Sequence, residues 1–200
     1  MKLNNIQIAL IASLLVGLLT IPTINNLPLP EAIKSFGTFK VAISLGLLTL
    51  IGYLVAEVLS KWVAIFKELG RFAVVGVLNT VLDFAIFNLL ISSFAISEGP
   101  LASLFKGVSF IVAVINSYYW NKYWTFDSHK VVKGKEFIQF IIISLVGFGI
   151  NVGTFSLVAN LIGAPENIDP TTWANIGALV GTFAGLAWNF IGYKLVVFKK

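Results

Sequence analysis

Six apolar stretches run through this chain, at residues 5–21, 38–60, 71–93, 104–121, 137–162 and 172–193, parted by polar or proline-containing breaks. A helix needs roughly 20 residues to cross the hydrocarbon of a bilayer, so each stretch reads as a membrane-spanning helix. Composition agrees: with 12% charged and 58% hydrophobic residues among 200, too few charges are present to coat a soluble globule. The expected fold class is an all-α integral membrane protein with six transmembrane helices.

The first stretch is the shortest, and one Lys precedes it as in a secretory signal. No small-x-small cleavage pattern stands before Pro22 and five more spans follow, so it reads as an uncleaved anchor. Pro22, Pro28 and Pro30 are expected to break the chain after it, and residues 31–36 to lie as a short helix at the outer surface. Residues 61–71, KWVAIFKELGR, read equally as a cytoplasmic interfacial helix or as a solvated linker anchored by Trp62. Glu57, four residues before Lys61, is expected to pair with it along a helix.

The loops set an orientation. Lys2, Lys61, Lys67, Arg71, Lys122, Lys130, Lys133, Lys135, Lys194, Lys199 and Lys200 fall on one side, 11 residues, against Lys34, Lys40 and Lys106 on the other. The positive-inside rule places both termini in the cytoplasm and the acidic loop 163–170 outside, in a multi-pass protein of the cell membrane.

Several function classes are excluded. The net charge of +5 comes from lysines between apolar runs, not from a basic face with aromatic platforms, which argues against nucleic acid. With no cysteine and one His, His129 in a Lys-rich loop, the chain offers no thiolate, no metal cluster and no nucleophile with a positioned base. It has no Gly-rich phosphate loop either. No catalytic residue, metal or cofactor is expected, and the chain does not read as an enzyme.

Asp83 stands out, because it sits near the middle of the third apolar stretch. A carboxylate at that depth costs roughly 2.5–3.5 kcal/mol on insertion scales and calls for a partner, a cavity or a proton. Gly76, Asn79 and Asp83 share one helical face, with Thr80 beside them, while the rest of the span is Val, Leu, Phe and Ile.

The chain also matches itself. Setting Phe72 on Phe140 aligns RFAVVGVLNTVLDFAIF with QFIIISLVGFGINVGTF without a gap, and puts Gly76 on Ser144, Asn79 on Gly147 and Asp83 on Asn151. NKYWTF, residues 121–126, then matches YKLVVF, residues 193–198, with Lys122 on Lys194. Two spans per unit make the repeat parallel, with Asp83 and Asn151 at equivalent depth. Small residues recur every fourth position at Gly177, Gly181 and Gly185 and at Ser109, Ala113 and Ser117, a pattern that lets helices pack closely.

The third-span pattern RF..VG..NT..D, the NKYWTF ending after Asn116 and Ser117, and the weaker copies F...S..G...N and N....K..VF resemble the GtrA-like family of small polytopic membrane proteins. The likeness covers about Phe66 to Phe198. It implies a four-helix core at 61–200, built as two parallel two-helix repeats at about 66–126 and 135–198, with the helix pair at 1–60 outside it. It also implies a role in moving polyprenyl-phosphate-linked sugars across the membrane for cell-surface glycosylation. Two departures stand out: Lys122 where many relatives carry Arg, and Tyr193 in place of a polar residue before its Lys. A lysine offers a point charge and no bidentate fork.

A sugar linked through phosphate to an isoprenoid asks for three chemistries, and the chain has candidates for each. Arg71, Lys122 and Lys194, at the cytoplasmic ends of core helices, are candidates for the lipid phosphate; anchoring to membrane headgroups explains them almost as well. Asp83, Asn79, Asn116 and Asn151 can hydrogen-bond sugar hydroxyls, or, for the asparagines, glue helices together. Trp120 and Trp124 are candidates for stacking on a sugar, within a Tyr/Trp cluster that an interfacial belt also explains. The preferred reading is a flippase for a polyprenyl-phosphate monosaccharide. The alternatives are a small proton-coupled exporter of cationic compounds working through Asp83, and a non-transporting subunit that anchors a membrane glycosyltransferase through the loop 130–135. Four core helices are few for an alternating-access path, which makes a homodimer a further expectation.

Overall fold

The computed structural model describes residues 3–26, 31–96, 99–129, 131, 134–168 and 170–199. Lys2, Pro28, Pro30, Lys130, Lys133 and Lys200, invoked above, and Asp169 of the acidic loop lie outside them. The protein is an all-α membrane protein. Its helices are α1 (Asn5–Asn26), α2 (Glu31–Phe36), α3 (Thr38–Leu59), α4 (Ile65–Phe94), α5 (Gly99–Trp120), α6 (Gly134–Ser156) and α7 (Pro170–Gly192). Among the described residues α1, α3, α4 and the Gly134–Asn151 part of α6 are long and apolar enough to cross a membrane.

Two of these bounds correct the sequence reading. Pro22 lies inside α1, which runs on to Asn26. Proline removes one backbone donor, a loss that transmembrane helices absorb by local adjustment and neighbouring partners. Residues 61–71 form no separate interfacial helix: a turn over 60–62 follows α3, and α4 has begun by Ile65. Residues 31–36 do form the expected short helix.

The chain divides into two compact units, Met1–Asp127 and Ser128–Lys200. In the first, α1, α3 and α4 pack against one another and α5 packs on α4. The reason is written on α1, where Ala9, Ala12, Ser13, Val16, Gly17 and Thr20 are buried while Leu10, Leu14 and Leu18 face outward. In lipid a leucine gains nothing by turning inward, so close backbone approach of small residues decides which face is buried. A Cβ on Gly17 would stand 2.8 Å from the Ala42 carbonyl oxygen, and one on Gly46 would stand 2.8 Å from that of Ser13. Around this crossing Ala9, Ala12 and Val16 join Tyr53, Val74, Val75, Leu78 and Trp124 in one core.

α5 ends in a π-helical turn, Asn121–Thr125, closed by the Phe126 N–H on the Asn121 carbonyl at 2.9 Å. In the second unit α7 ends the same way: Tyr193–Val197 is π-helical and the Phe198 N–H meets the Tyr193 carbonyl at 2.8 Å. These are the two segments that the self-alignment pairs. In this unit α6 and α7 pack together. The side chain of Asn189 fills the space over Gly147, and a Cβ on Gly185 would lie 2.8 Å from the Gly147 carbonyl oxygen. Gly185 is therefore a packing glycine.

Candidate functional site

Asp83 has a partner that the sequence reading assigned only to packing. Ser109, fully buried on α5, donates its hydroxyl to Asp83 Oδ1 at 2.6 Å. Oxygen-to-oxygen contacts this short are characteristic of a hydroxyl held by a carboxylate. On the same faces of α4 and α5 lie Asn79 and Asn116. Asn79 Oδ1 and Asn116 Nδ2 are shielded from solvent and have no hydrogen-bond partner, so these two atoms do not bond each other. The α4–α5 seam thus carries one satisfied carboxylate oxygen, one free acceptor and one free donor between otherwise apolar walls. Thr80, beside it, bonds back to the Gly76 carbonyl at 2.9 Å and is exposed.

A second polar group collects near the start of α4. Arg71 is buried, and its Nη1 donates to the Trp124 carbonyl at 3.1 Å. Helix ends leave carbonyls without intrahelical donors, and a cation there also meets the negative end of the helix dipole. Arg71 so holds the π-turn of α5 against α4. Its Nε and Nη2 remain buried without partners. Lys122, in the same turn, is wholly buried, with Nζ 5.9 Å from the ring centroids of both Tyr118 and Tyr123. Aromatic faces attract a cation at that range.

The tryptophans proposed for sugar stacking sit differently from each other. Trp124 is buried, with ring centroids 5.8 Å from Tyr53 and 5.7 Å from Trp120, so it belongs to the core. Trp120 is half-buried. The exposed aromatics here are Tyr119 and Tyr123, which stack on each other at 6.2 Å.

Two α3 residues join Arg71: Glu57, which the sequence reading paired with Lys61, and Tyr53, which it did not single out. A Cβ on Gly70 would collide with the Ala56 side chain, so α3 and α4 touch there and Glu57 comes beside the start of α4. Glu57 makes no ion pair with Lys61: it is half-buried, with Oε2 shielded and unpartnered, and Lys61 lies exposed in the turn beyond α3. The Tyr53 hydroxyl is likewise buried and closes no hydrogen bond of good geometry, though it lies close enough to interact with both Glu57 and Arg71. The packing of α3 on α4, which brings Ala56 against Gly70, makes this grouping.

Asn151 and Lys194 belong to the second unit. Asn151 is half-buried, its Cβ 3.1 Å from the position a Cβ on Gly185 would take. Lys194 is half-buried with Nζ 5.8 Å from the Phe190 ring centroid. Nearby, Ser144 bonds the Tyr193 hydroxyl at 2.6 Å and Tyr193 stacks on Phe140 at 4.5 Å, so Tyr193 is a packing residue.

The family described as GtrA/DPMS, transmembrane domain, matches residues 71–198. The chain is also similar to "Uncharacterized membrane protein YngA" of Bacillus subtilis (strain 168), at 34% identity over 132 residues that make up 66% of this chain and 80% of that protein. No solved structure matches the chain.

Proposed function

The chain belongs to the GtrA/DPMS transmembrane family, and on that premise we propose that it is a flippase, moving a polyprenyl-phosphate-linked monosaccharide across the cell membrane for surface glycan modification. The observation that carries the proposal is the α4–α5 seam: Asp83 is held by Ser109, with the unpartnered Asn79 Oδ1 and Asn116 Nδ2 on the same faces of two apolar helices. Sugar hydroxyls both donate and accept, so a row offering both kinds of atom suits them. An isoprenoid chain needs no such row and stays in lipid. Arg71, with two unpartnered nitrogens, and Lys122 are the phosphate candidates of the first unit and Lys194 that of the second. In this reading the protein lowers a barrier and changes no covalent bond. Both termini lie in the cytoplasm, on the strength of the loop charges.

The test is Asp83→Asn, which keeps the size and removes the charge. Cells carrying the variant at normal membrane levels should lose surface transfer of the sugar while still making the lipid-linked donor. Unimpaired glycan transfer would sink the proposal.

A further inference from the structure

Arg71 is the first residue of the family match, and the groups that surround it come partly from outside that match. Tyr53 and Glu57 are on α3, which, with α1 and α2, precedes residue 71. The Gly70–Ala56 contact brings α3 onto α4 at this point, and the buried atoms there are complementary but unused. Arg71 Nε and Nη2 can donate, Glu57 Oε2 can accept, and the Tyr53 hydroxyl can do either; Tyr53 lies close enough to both charged groups to interact with each, yet none of these atoms closes a hydrogen bond of good geometry. A guanidinium out of water needs compensating charge, and one hydrogen bond to the Trp124 carbonyl at a helix end supplies only a partial one.

We propose that Glu57 is an internal counterion for Arg71, standing where the phosphate of the lipid substrate binds and yielding to it, so that α3 sets how tightly the site holds an anion. The inference rests on the reading of Arg71 as a phosphate ligand. A structural ion pair would close directly, with both nitrogens used. Here the carboxylate is held short of the guanidinium with Tyr53 close to both, and the spare donors are what a phosphate takes up bidentately. Two anions competing for one arginine must be negatively coupled, and coupling of this kind typically amounts to 5- to 150-fold in affinity.

The experiment measures binding of a polyprenyl monophosphate to the purified full-length protein in nanodiscs, with uncharged polyprenol as the control lipid. Glu57→Gln should tighten binding of the phosphate about tenfold and leave polyprenol unchanged. The gain should vanish when Arg71→Gln is added, and Glu166→Gln, which removes an exposed acid elsewhere, should have no effect. Tyr53→Phe loosens the same grouping without removing charge and should tighten phosphate binding in the same direction; it decides the matter if Glu57→Gln does not fold. A purely structural Glu57 would show lower thermal stability with binding unchanged or weaker, and that overturns the inference. So does a gain that survives Arg71→Gln. If the unaltered protein and every variant fail to bind the polyprenyl phosphate, the proposed function falls along with it; if binding is present but indifferent to Glu57, only the counterion role falls.

Discussion

Ser109 carries no charge, yet it holds one oxygen of the Asp83 carboxylate. Their 2.6 Å contact joins α4 to α5, and a hydrogen bond to a carboxylate contributes about 1.5–3 kcal/mol. Ser109→Ala should therefore cost about 1–3 kcal/mol in the folded protein and weaken sugar transfer. Ala113→Gly, one turn along the same face, removes a methyl and no hydrogen bond and should leave transfer intact. Thermal unfolding of both variants in the same detergent, beside the glycan assay, checks this; equal loss in the two would show that Ser109 only packs. Asp83 was legible in the sequence because a carboxylate in an apolar run has few structural explanations. Ser109 was not, because a hydroxyl in a stripe of small residues looks the same whether it packs or bonds. Glu57 misled for a related reason: the Lys four residues on supplied a local explanation, while the decisive contact, Gly70 on Ala56, joins two helices.

Between helices, the α1–α3 crossing shows how little side-chain volume the fold tolerates. Gly46→Val would drive its Cβ into the Ser13 carbonyl oxygen, 2.8 Å away and backbone, so the helices must part, at a cost of about 1–3 kcal/mol. Gly52→Ala, on the same helix with nothing within 4 Å of the new Cβ, should stay within about 0.5 kcal/mol of the parent. Equal melting temperatures for the two variants would contradict the tight crossing. Helix positions were readable from hydropathy, since length and apolarity fix what can span. Boundaries were less so: Pro22 reads as a breaker in water but is absorbed within α1. The π-turns at Asn121–Thr125 and Tyr193–Val197 were foreshadowed only as paired endings, because one extra residue in a turn leaves no mark on a hydropathy pattern. What the pairing did anticipate is where Asp83 has no twin: at the matching positions of the second unit stand Asn151 and Gly181, so neither the carboxylate nor the serine that holds it is repeated.

For the molecule as a whole, orientation decides which leaflet meets Arg71 and Lys122 first. The positive-inside reading of the loops sets the expectation of cytoplasmic termini, and the proposed function then has the phosphate group engaged from the cytoplasmic leaflet. The chain contains no cysteine, so a single introduced thiol reports its own location without background. His129→Cys, exposed in the loop after the first π-turn, should be protected from a membrane-impermeant maleimide in intact cells and react after permeabilisation. Asn167→Cys, exposed in the acidic loop between α6 and α7, should react in intact cells. The opposite pattern would invert the topology and place Arg71 and Lys122 at the outer leaflet, where they would receive a lipid phosphate after crossing instead of capturing it before. Labelling of both thiols in intact cells would point to a dual orientation, in which case oppositely inserted copies must be assayed together before any one direction of transport is assigned.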